Sequence, residues 1–101
     1  MIRAQVSAPG ATAVLRLADG HAVLDVSDLP QTAPNRVYEV WVKRGGAPQP
    51  TDALFTVTRS GAASVGVPGA IKGVRTVMVT SEPLGGSTVP TTQPVIVANI
   101  S

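Results

Sequence analysis

The 101-residue chain is 44% hydrophobic and 14% charged, which excludes a disordered chain and predicts one folded domain over residues 1–101. Its eight basic side chains exceed its six acidic ones by only two and are scattered among just three aromatic residues, so a nucleic-acid groove is not expected. Cysteine is absent, which excludes disulfides and thiolate sites, and no apolar run approaches the roughly 18 residues of a membrane span.

The first well-defined feature in chain order is a β-hairpin over residues 11–29. Asp19-Gly20 is a preferred dipeptide for a two-residue type I′ turn, because both central positions of that turn need positive φ. Such a turn fixes the register of every pair in the hairpin. The pairs expected on the apolar face are Leu17 with Ala22, Leu15 with Leu24, and Ala13 with Val26; on the other face Arg16 lies diagonal to Asp25.

The segment Arg36–Lys43 is the longest run of strand-favouring residues after this hairpin, and it holds the only Tyr (Tyr38) and the only Trp (Trp41). The two-residue alternation of a strand puts Tyr38 on one face and Trp41 on the other, beside Glu39. A strand with apolar side chains on both faces is expected to be central, with material covering each side. Trp41 is expected to lie in the core; the alternative is an anchor for a partner interface, where Trp is enriched.

The middle of the chain predicts a loop followed by a second hairpin. Residues 44–50 are expected to form the loop, because their two prolines cannot donate to a strand ladder. Residues 53–67 are expected to form the hairpin, closed by a three-residue loop that ends with Gly61 in the left-handed conformation.

The last third of the chain predicts two strands around a long loop. Residues 74–81 are expected to form a strand with Val77 and Val79 on one face and Val74 and Met78 on the other. A turn-rich loop at residues 82–91 leads to a final strand at residues 95–100. The chain thus contains about eight short strands and no helix, which predicts an all-β fold: an antiparallel β-sandwich of immunoglobulin-like type.

The titratable residues form no recognisable catalytic or metal-binding pattern. His21 is the only histidine, and without cysteine a zinc site lacks its usual partners, so His21 is expected to be an exposed residue beside a turn. No serine lies in a nucleophile-elbow motif. Glu82 is expected to cap backbone N–H groups of the following loop or to pair with an arginine. These observations predict no enzyme, no cofactor and no metal.

Two segments together carry a family resemblance. The first reads Tyr-Glu-Val-Trp-Val at positions 38–42; the second reads Thr-Ser-Glu-Pro-Leu-Gly-Gly-Ser at positions 80–87, followed by Pro-Thr at 90–91. In this order they resemble the C-terminal domain of anti-sigma-K factors, the RskA family, over most of the chain from about residue 11. The matching residues are Tyr38, Trp41, Glu82, Pro83, Gly85, Gly86, Pro90 and Thr91. We interpret them first as determinants of the fold, with a site role for the loop at 82–91 as a hypothesis.

The resemblance implies the outer domain of a bacterial membrane regulator. In such proteins a cytoplasmic segment sequesters an extracytoplasmic-function sigma factor, and a single transmembrane helix follows. The present domain then lies on the extracytoplasmic face of the cell membrane, where it influences the staged proteolysis that frees the sigma factor. The sigma-binding segment and the helix are expected outside these 101 residues, so a protein partner or protease is the expected partner of the domain itself. The family has no catalytic residues to transfer.

Two other classes of function remain as alternatives. One is a cell-surface binding module that recognises a peptide or glycan at a sheet edge or at its loops, and the other is a hydrolase. Met1 directly precedes a first strand expected at residues 2–7, which favours a piece of a longer protein. A span of about 20 apolar residues upstream would favour the regulator, whereas a secretory signal and repeated β modules would favour the binding module.

Overall fold

Two antiparallel sheets pack face to face in the computed structural model, which describes residues 1–100. The strands are β1 (Ile2–Arg3), β2 (Gln5–Val6), β3 (Thr12–Ala18), β4 (His21–Ser27), β5 (Arg36–Lys43), β6 (Gln49–Phe55), β7 (Ala63–Val67), β8 (Thr76–Pro83) and β9 (Ile96–Asn99). One sheet has the order β1-β3-β4-β7 and the other β2-β9-β8-β5-β6. The all-β antiparallel sandwich is therefore confirmed. Within residues 1–100 no helix is long and apolar enough to cross a membrane.

The hairpin of β3 and β4 has the predicted register throughout. Ala18 pairs with His21 and Leu15 with Leu24. Asp19 and Gly20 have φ of 53° and 77°, as both central positions of a type I′ turn require. On the opposite face Arg16 forms an ion pair with Asp25, and His21 is exposed as expected.

The predicted first strand divides at Ala4 into two short strands in different sheets, which is why the structure has nine strands where about eight were expected. Ile2 and Arg3 pair with β3, whereas Gln5 and Val6 pair with β9. The side chain of Ala4 is buried in the core, and its N–H donates to Ala13 O at 2.9 Å. The chain crosses between the layers there and provides a partner at one edge of each sheet.

The central position predicted for Arg36–Lys43 is confirmed, since β5 pairs with β6 on one side and with β8 on the other. Its Tyr38 face packs into the core between the sheets, and its Trp41 face points away from it. The core includes Leu15 and Leu24 of the smaller sheet and Val40, Val79 and Ile96 of the larger. The strand at 74–81 begins at Thr76 instead, and Val74 joins this same core.

The strand pairing predicted for the second hairpin is wrong, because its two strands belong to different sheets. The predicted three-residue loop with Gly61 left-handed is confirmed, and Thr58 N donates to Ala62 O across it at 3.0 Å. β6 pairs with β5, while β7 pairs with β4. Between them Gly61 has φ +81°, and a Cβ there would approach the backbone N and O of Leu29 to 2.6 Å. This close contact holds the connection against Leu29 and directs the chain into the smaller sheet. The loop expected at 44–50 is also shorter, since Pro50 lies in β6, an edge strand that needs no donor on its open side.

Candidate functional site

The outer face of the larger sheet is covered by residues 84–92, which we call the cover loop. By strand alternation five buried side chains lie on this face: Glu39, Trp41, Met78, Thr80 and Glu82. Hydrogen bonds from Ser87, Thr91 and Thr92 hold the cover loop on the sheet, the last of them from Thr92 Oγ1 to Ser81 O at 2.7 Å. The second face of β5 therefore has its covering layer, as expected, and that layer is a loop.

Glu82 is the anchor of the cover loop. Its side chain is fully buried, and its two carboxylate oxygens accept four hydrogen bonds. Ser87 Oγ donates at 2.8 Å, Thr91 N at 3.0 Å and Thr91 Oγ1 at 2.5 Å, and Thr80 Oγ1 donates at 2.6 Å from the strand itself. The prediction that Glu82 caps loop N–H groups is confirmed. The alternative, a pairing with arginine, is not found, because the one ion pair within residues 1–100 is Arg16–Asp25.

Trp41 is linked to Glu82 through a shared threonine. The indole Nε1–H donates to Thr80 Oγ1 at 2.8 Å, and the same hydroxyl donates to Glu82 Oε2. Trp41 is completely buried, as expected, but beneath the cover loop and outside the core between the sheets. The Trp, Thr and Glu of the family motif therefore form one continuous hydrogen-bonded chain across β5 and β8.

Glu39 is the second buried carboxylate beneath the loop, with 2% of its surface exposed. Its Oε1 accepts a hydrogen bond from Ser87 N at 2.7 Å. Gly86, which precedes Ser87, has φ +81°, and a Cβ there would lie 3.1 Å from both Glu39 Oε1 and Leu54 Cδ2. Glycine is required at this position both by the backbone conformation and by the close approach to β5 and β6.

The two glutamates have opposite pKa shifts. Burial raises the pKa of Glu82, but its four hydrogen bonds favour the charged form more strongly, and the result is a pKa lowered from 4.5 to about 2. Burial also raises the pKa of Glu39; its single hydrogen bond from Ser87 only partly opposes this, and the charges of Glu82 and Asp52 raise it further. Glu82 is thus held as a carboxylate, whereas Glu39 gains its charge at a higher pH than an ordinary glutamate.

The remaining motif residues divide between the loop and the core. Gly85 has φ +88°, and Gly86 N donates to Pro83 O at 2.9 Å, which closes a tight turn directly after β8. Pro90 is half-buried beside Thr91. Tyr38 lies apart on the inner face, where its hydroxyl donates to Pro30 O at 2.5 Å and its ring contacts Phe55. Seven of the eight motif residues therefore lie in the cover loop or on the strands next to it, and Tyr38 fixes the connection before β5.

An open cleft of about 340 Å³ lies between the cover loop and the edge strand β6. Its acidic lining residues are Glu39 and Asp52. Asp52 has φ +65° in a β-bulge that faces Val40. The Oε2 atom of Glu39 accepts no hydrogen bond from residues 1–100, and no fully buried side-chain N or O atom in that range lacks a partner. Oε2 is therefore not sealed from solvent, and Glu39 lines this cleft.

Neither Glu39 nor Asp52 was among the predicted site residues. A glutamate in the middle of an apolar strand was the available signal for Glu39. No signal marked Asp52, because its position depends on a bulge between β5 and β6. Over residues 1–100 the structure contains no group of three or more His, Cys, Asp or Glu side chains that could hold a metal ion.

A model of a known protein family matches most of the chain. The family model described as "Anti-sigma-K factor rskA, C-terminal" matches residues 1–95. No curated protein and no solved structure matches the chain. The match covers all nine strands except the last, together with the whole cover loop.

Proposed function

Because the chain belongs to the anti-sigma-K factor family through its C-terminal domain, we propose that it is the non-catalytic outer domain of a membrane-anchored anti-sigma factor. In this proposal the domain lies on the extracytoplasmic face of the bacterial cell membrane and controls the regulated proteolysis of its parent. The sigma factor is bound by another segment of the parent, on the far side of the membrane. The domain itself needs no cofactor.

The observation that carries the proposal is that the polar groups of the motif residues hydrogen-bond to one another and to the cover loop. The oxygens of Glu82 hold the cover loop, the hydroxyl of Thr80 donates to Glu82, and the indole N–H of Trp41 donates to Thr80. Buried groups that hydrogen-bond to one another stabilise a fold and have no donor or acceptor left for a substrate. The family motif of this chain therefore stabilises its fold, which supports a function that depends on the domain being folded.

Such an object can act as a gate for a protease. A folded domain shields a scissile segment next to it, and cleavage follows the fraction of time for which the domain is open or displaced. A signal that loosens the cover loop or moves the domain would then increase cleavage and release the sigma factor. Because 1.4 kcal/mol changes an equilibrium about tenfold, modest changes in stability suffice to move such a gate.

The test is to delete this domain from the full-length parent and to measure sigma-dependent transcription. We expect transcription without the inducing signal, because the scissile segment is no longer shielded. In a matched parent an unrelated β-sandwich of similar size replaces the domain. Simple shielding predicts that this parent stays repressed, whereas a requirement for a specific partner predicts that its response is altered. Unchanged transcription after deletion would contradict the proposal.

A second candidate function, recognition of a polypeptide, is favoured by the cleft beside β6. β6 is the open edge of its sheet, so an extended peptide can pair with it. The unpartnered Oε2 of Glu39 and the carboxylate of Asp52 would receive a lysine or arginine side chain from that peptide. A protease or partner protein that presents a basic residue in an extended segment fits this cleft. Loss of binding in Asp52→Asn, with a peptide in which the basic residue is replaced as the control, tests it.

A further inference from the structure

Four of the eight basic side chains, which are scattered in the sequence, are gathered by the fold at one end of the sandwich. Lys43 ends β5 and Arg44 follows it, while Lys72 and Arg75 lie in the connection before β8. Arg75 N donates to Lys43 O at 2.8 Å, and a guanidinium nitrogen of Arg44 lies 3.3 Å from Ala70 O. We call the four residues Lys43, Arg44, Lys72 and Arg75 the basic end.

Few opposite charges lie near the basic end. Among the side chains of residues 1–100, Asp19 is the one carboxylate placed at this end, where Gly20 O beside it accepts a hydrogen bond from Ile71 N at 2.8 Å. The other five acids lie elsewhere: Asp25 in its ion pair, Asp28 after β4, Glu39 and Glu82 under the cover loop, and Asp52 in the bulge. Four cations against one carboxylate give this end more positive charge than the whole chain, whose net charge is +2.

The first strand begins on the side of the basic end and runs away from it. β1 is antiparallel to β3 with Ile2 opposite Leu15, and β3 runs on toward the turn at Gly20. The chain before Ile2 therefore leads toward the end at which Ile71 contacts that turn. A membrane helix that precedes the domain in the parent would thus join it on the side where the cations lie.

We propose that the basic end docks on the anionic phospholipid headgroups of the membrane in which the parent is anchored. The proposal rests on the membrane anchoring in the proposed function and adds a second contact to it. Arg44, Lys72 and Arg75 are exposed, and cations near an anionic bilayer each strengthen association about fivefold. Because the domain is tethered, this contact forms within one molecule at high effective concentration. Docking in this orientation places the sandwich over the segment that joins it to the membrane.

A nucleic acid is the less suitable polyanion for this surface. Single strands are held by aromatic side chains on which the bases stack. Trp41 and Tyr38 are buried. Phe55 is half-buried against Tyr38, with which it pairs, and so lies away from the end of β5 at Lys43. The basic end offers charge without a stacking platform, which suits a layer of phosphate headgroups.

The test measures co-sedimentation of the 101-residue chain with vesicles of phosphatidylglycerol and phosphatidylcholine, and with vesicles of phosphatidylcholine alone. Lys72→Gln/Arg75→Gln removes two exposed cations of the basic end whose side chains make no hydrogen bond with other residues of the range 1–100. Arg3→Gln/Arg59→Gln is the matched control, because it removes two exposed cations outside the basic end and changes the net charge equally. Measurements in about 0.01 M and about 1 M salt vary the screening of the charges.

We expect binding to the anionic vesicles alone, loss of that binding at high salt, and a partition coefficient about 25-fold lower in the Lys72/Arg75 variant, at about fivefold per cation. The Arg3/Arg59 variant should bind nearly as wild type. Equal losses in the two variants, or equal binding to neutral vesicles, would overturn the proposal. Tighter binding to a DNA oligonucleotide than to the anionic vesicles would overturn it in favour of a nucleic acid. Because no sigma factor takes part, these failures are distinct from failure of the transcription test.

Discussion

The carboxylate of Glu82 accepts hydrogen bonds from both the backbone N–H and the hydroxyl of Thr91, nine residues further along the chain. This pair of contacts fastens the far end of the cover loop to the end of β8. Charge-assisted hydrogen bonds are stronger than neutral ones, and here the accepting carboxylate is fully buried. Between these residues the loop passes over Glu39, whose Oε1 accepts a hydrogen bond from Ser87 N at 2.7 Å.

Replacing this carboxylate should loosen the cover loop without changing the sandwich. Glu82→Gln replaces one accepting carboxylate oxygen by an NH2 group, and this donor then faces the donors that had bonded the oxygen. We therefore expect a loss of about 1–3 kcal/mol in the free energy of unfolding at pH 7. Since the pKa is about 2 in the folded chain and the usual value is 4.5, this stabilisation is present above pH 4.5 and is lost as the pH falls toward about 2. Denaturant unfolding across this range measures it, with exposed Asp28→Asn as the control. A constant difference between wild type and variant down to pH 2 would contradict the assignment.

Substitutions at two adjacent glycines distinguish the cost of backbone strain from the cost of disturbing close packing. Gly85 and Gly86 both have positive φ, but a Cβ at Gly85 meets open space, whereas one at Gly86 meets Glu39 and Leu54. We expect Gly85→Ala to cost about 1 kcal/mol through the backbone conformation alone, and Gly86→Ala to cost about 1–3 kcal/mol more by displacing its neighbours. Thermal or denaturant unfolding of the two variants gives the difference. Equal costs would show that the loop does not pack closely on Glu39.

The hydrogen-bonded chain from Trp41 through Thr80 should appear as an energetic coupling. Trp41→Phe removes the indole donor and leaves a small cavity, for which we expect a loss of about 2–4 kcal/mol. In a double-mutant cycle with Thr80→Val the losses should fall short of additivity by about 1 kcal/mol. Tyr38→Phe is the matched control, because its hydroxyl bonds Pro30 on the other face of β5, and it should be additive with Thr80→Val. Additivity in both cycles would mean that the two residues act independently.

Glu39 should affect stability in the opposite direction from Glu82. Its pKa is raised mainly by burial, so its ionisation makes the folded state less stable as the pH rises above 4.5 through the folded pKa. Glu39→Gln retains an oxygen to accept from Ser87 N and removes this loss, and we expect the variant to be more stable than wild type at pH 7. Unfolding free energies measured from pH 4 to pH 8 test this, since the two proteins should diverge only as the pH rises. A variant less stable than wild type at pH 7 would refute the assignment.

Features that depend on neighbouring residues could be predicted from the sequence. The Asp19-Gly20 turn determines the whole register of the first hairpin, because one local conformation fixes every later pair. That Glu82 caps the following loop was predictable because a carboxylate stands at the start of that loop, although the N–H it caps, Thr91 N, lies nine residues further along the chain. The central position of Tyr38 and Trp41 followed from a strand that is apolar on both faces.

Features that depend on distant pairings could not be predicted in this way. The strand at Ala63–Val67 has the alternation of a hairpin partner for β6, but it pairs with β4 because the contact of Gly61 with Leu29 carries the chain to the other sheet. Local alternation also continues across Ala4, where the chain changes layers. Likewise, the cleft beside Asp52 and the grouping of the basic end arise from strand order, which the spacing of residues does not contain.

The most direct test of the central claim compares stability with cleavage in one series of variants. Gly85→Ala, Gly86→Ala and Glu82→Gln are introduced into the full-length parent, and the rate of its proteolysis in cells is measured against the unfolding free energy of each 101-residue chain. A gate that works by being folded predicts that proteolysis rises in the order in which stability is lost, with Gly85→Ala nearest to wild type. Proteolysis that stays at the wild-type rate in variants several kcal/mol less stable would contradict the account.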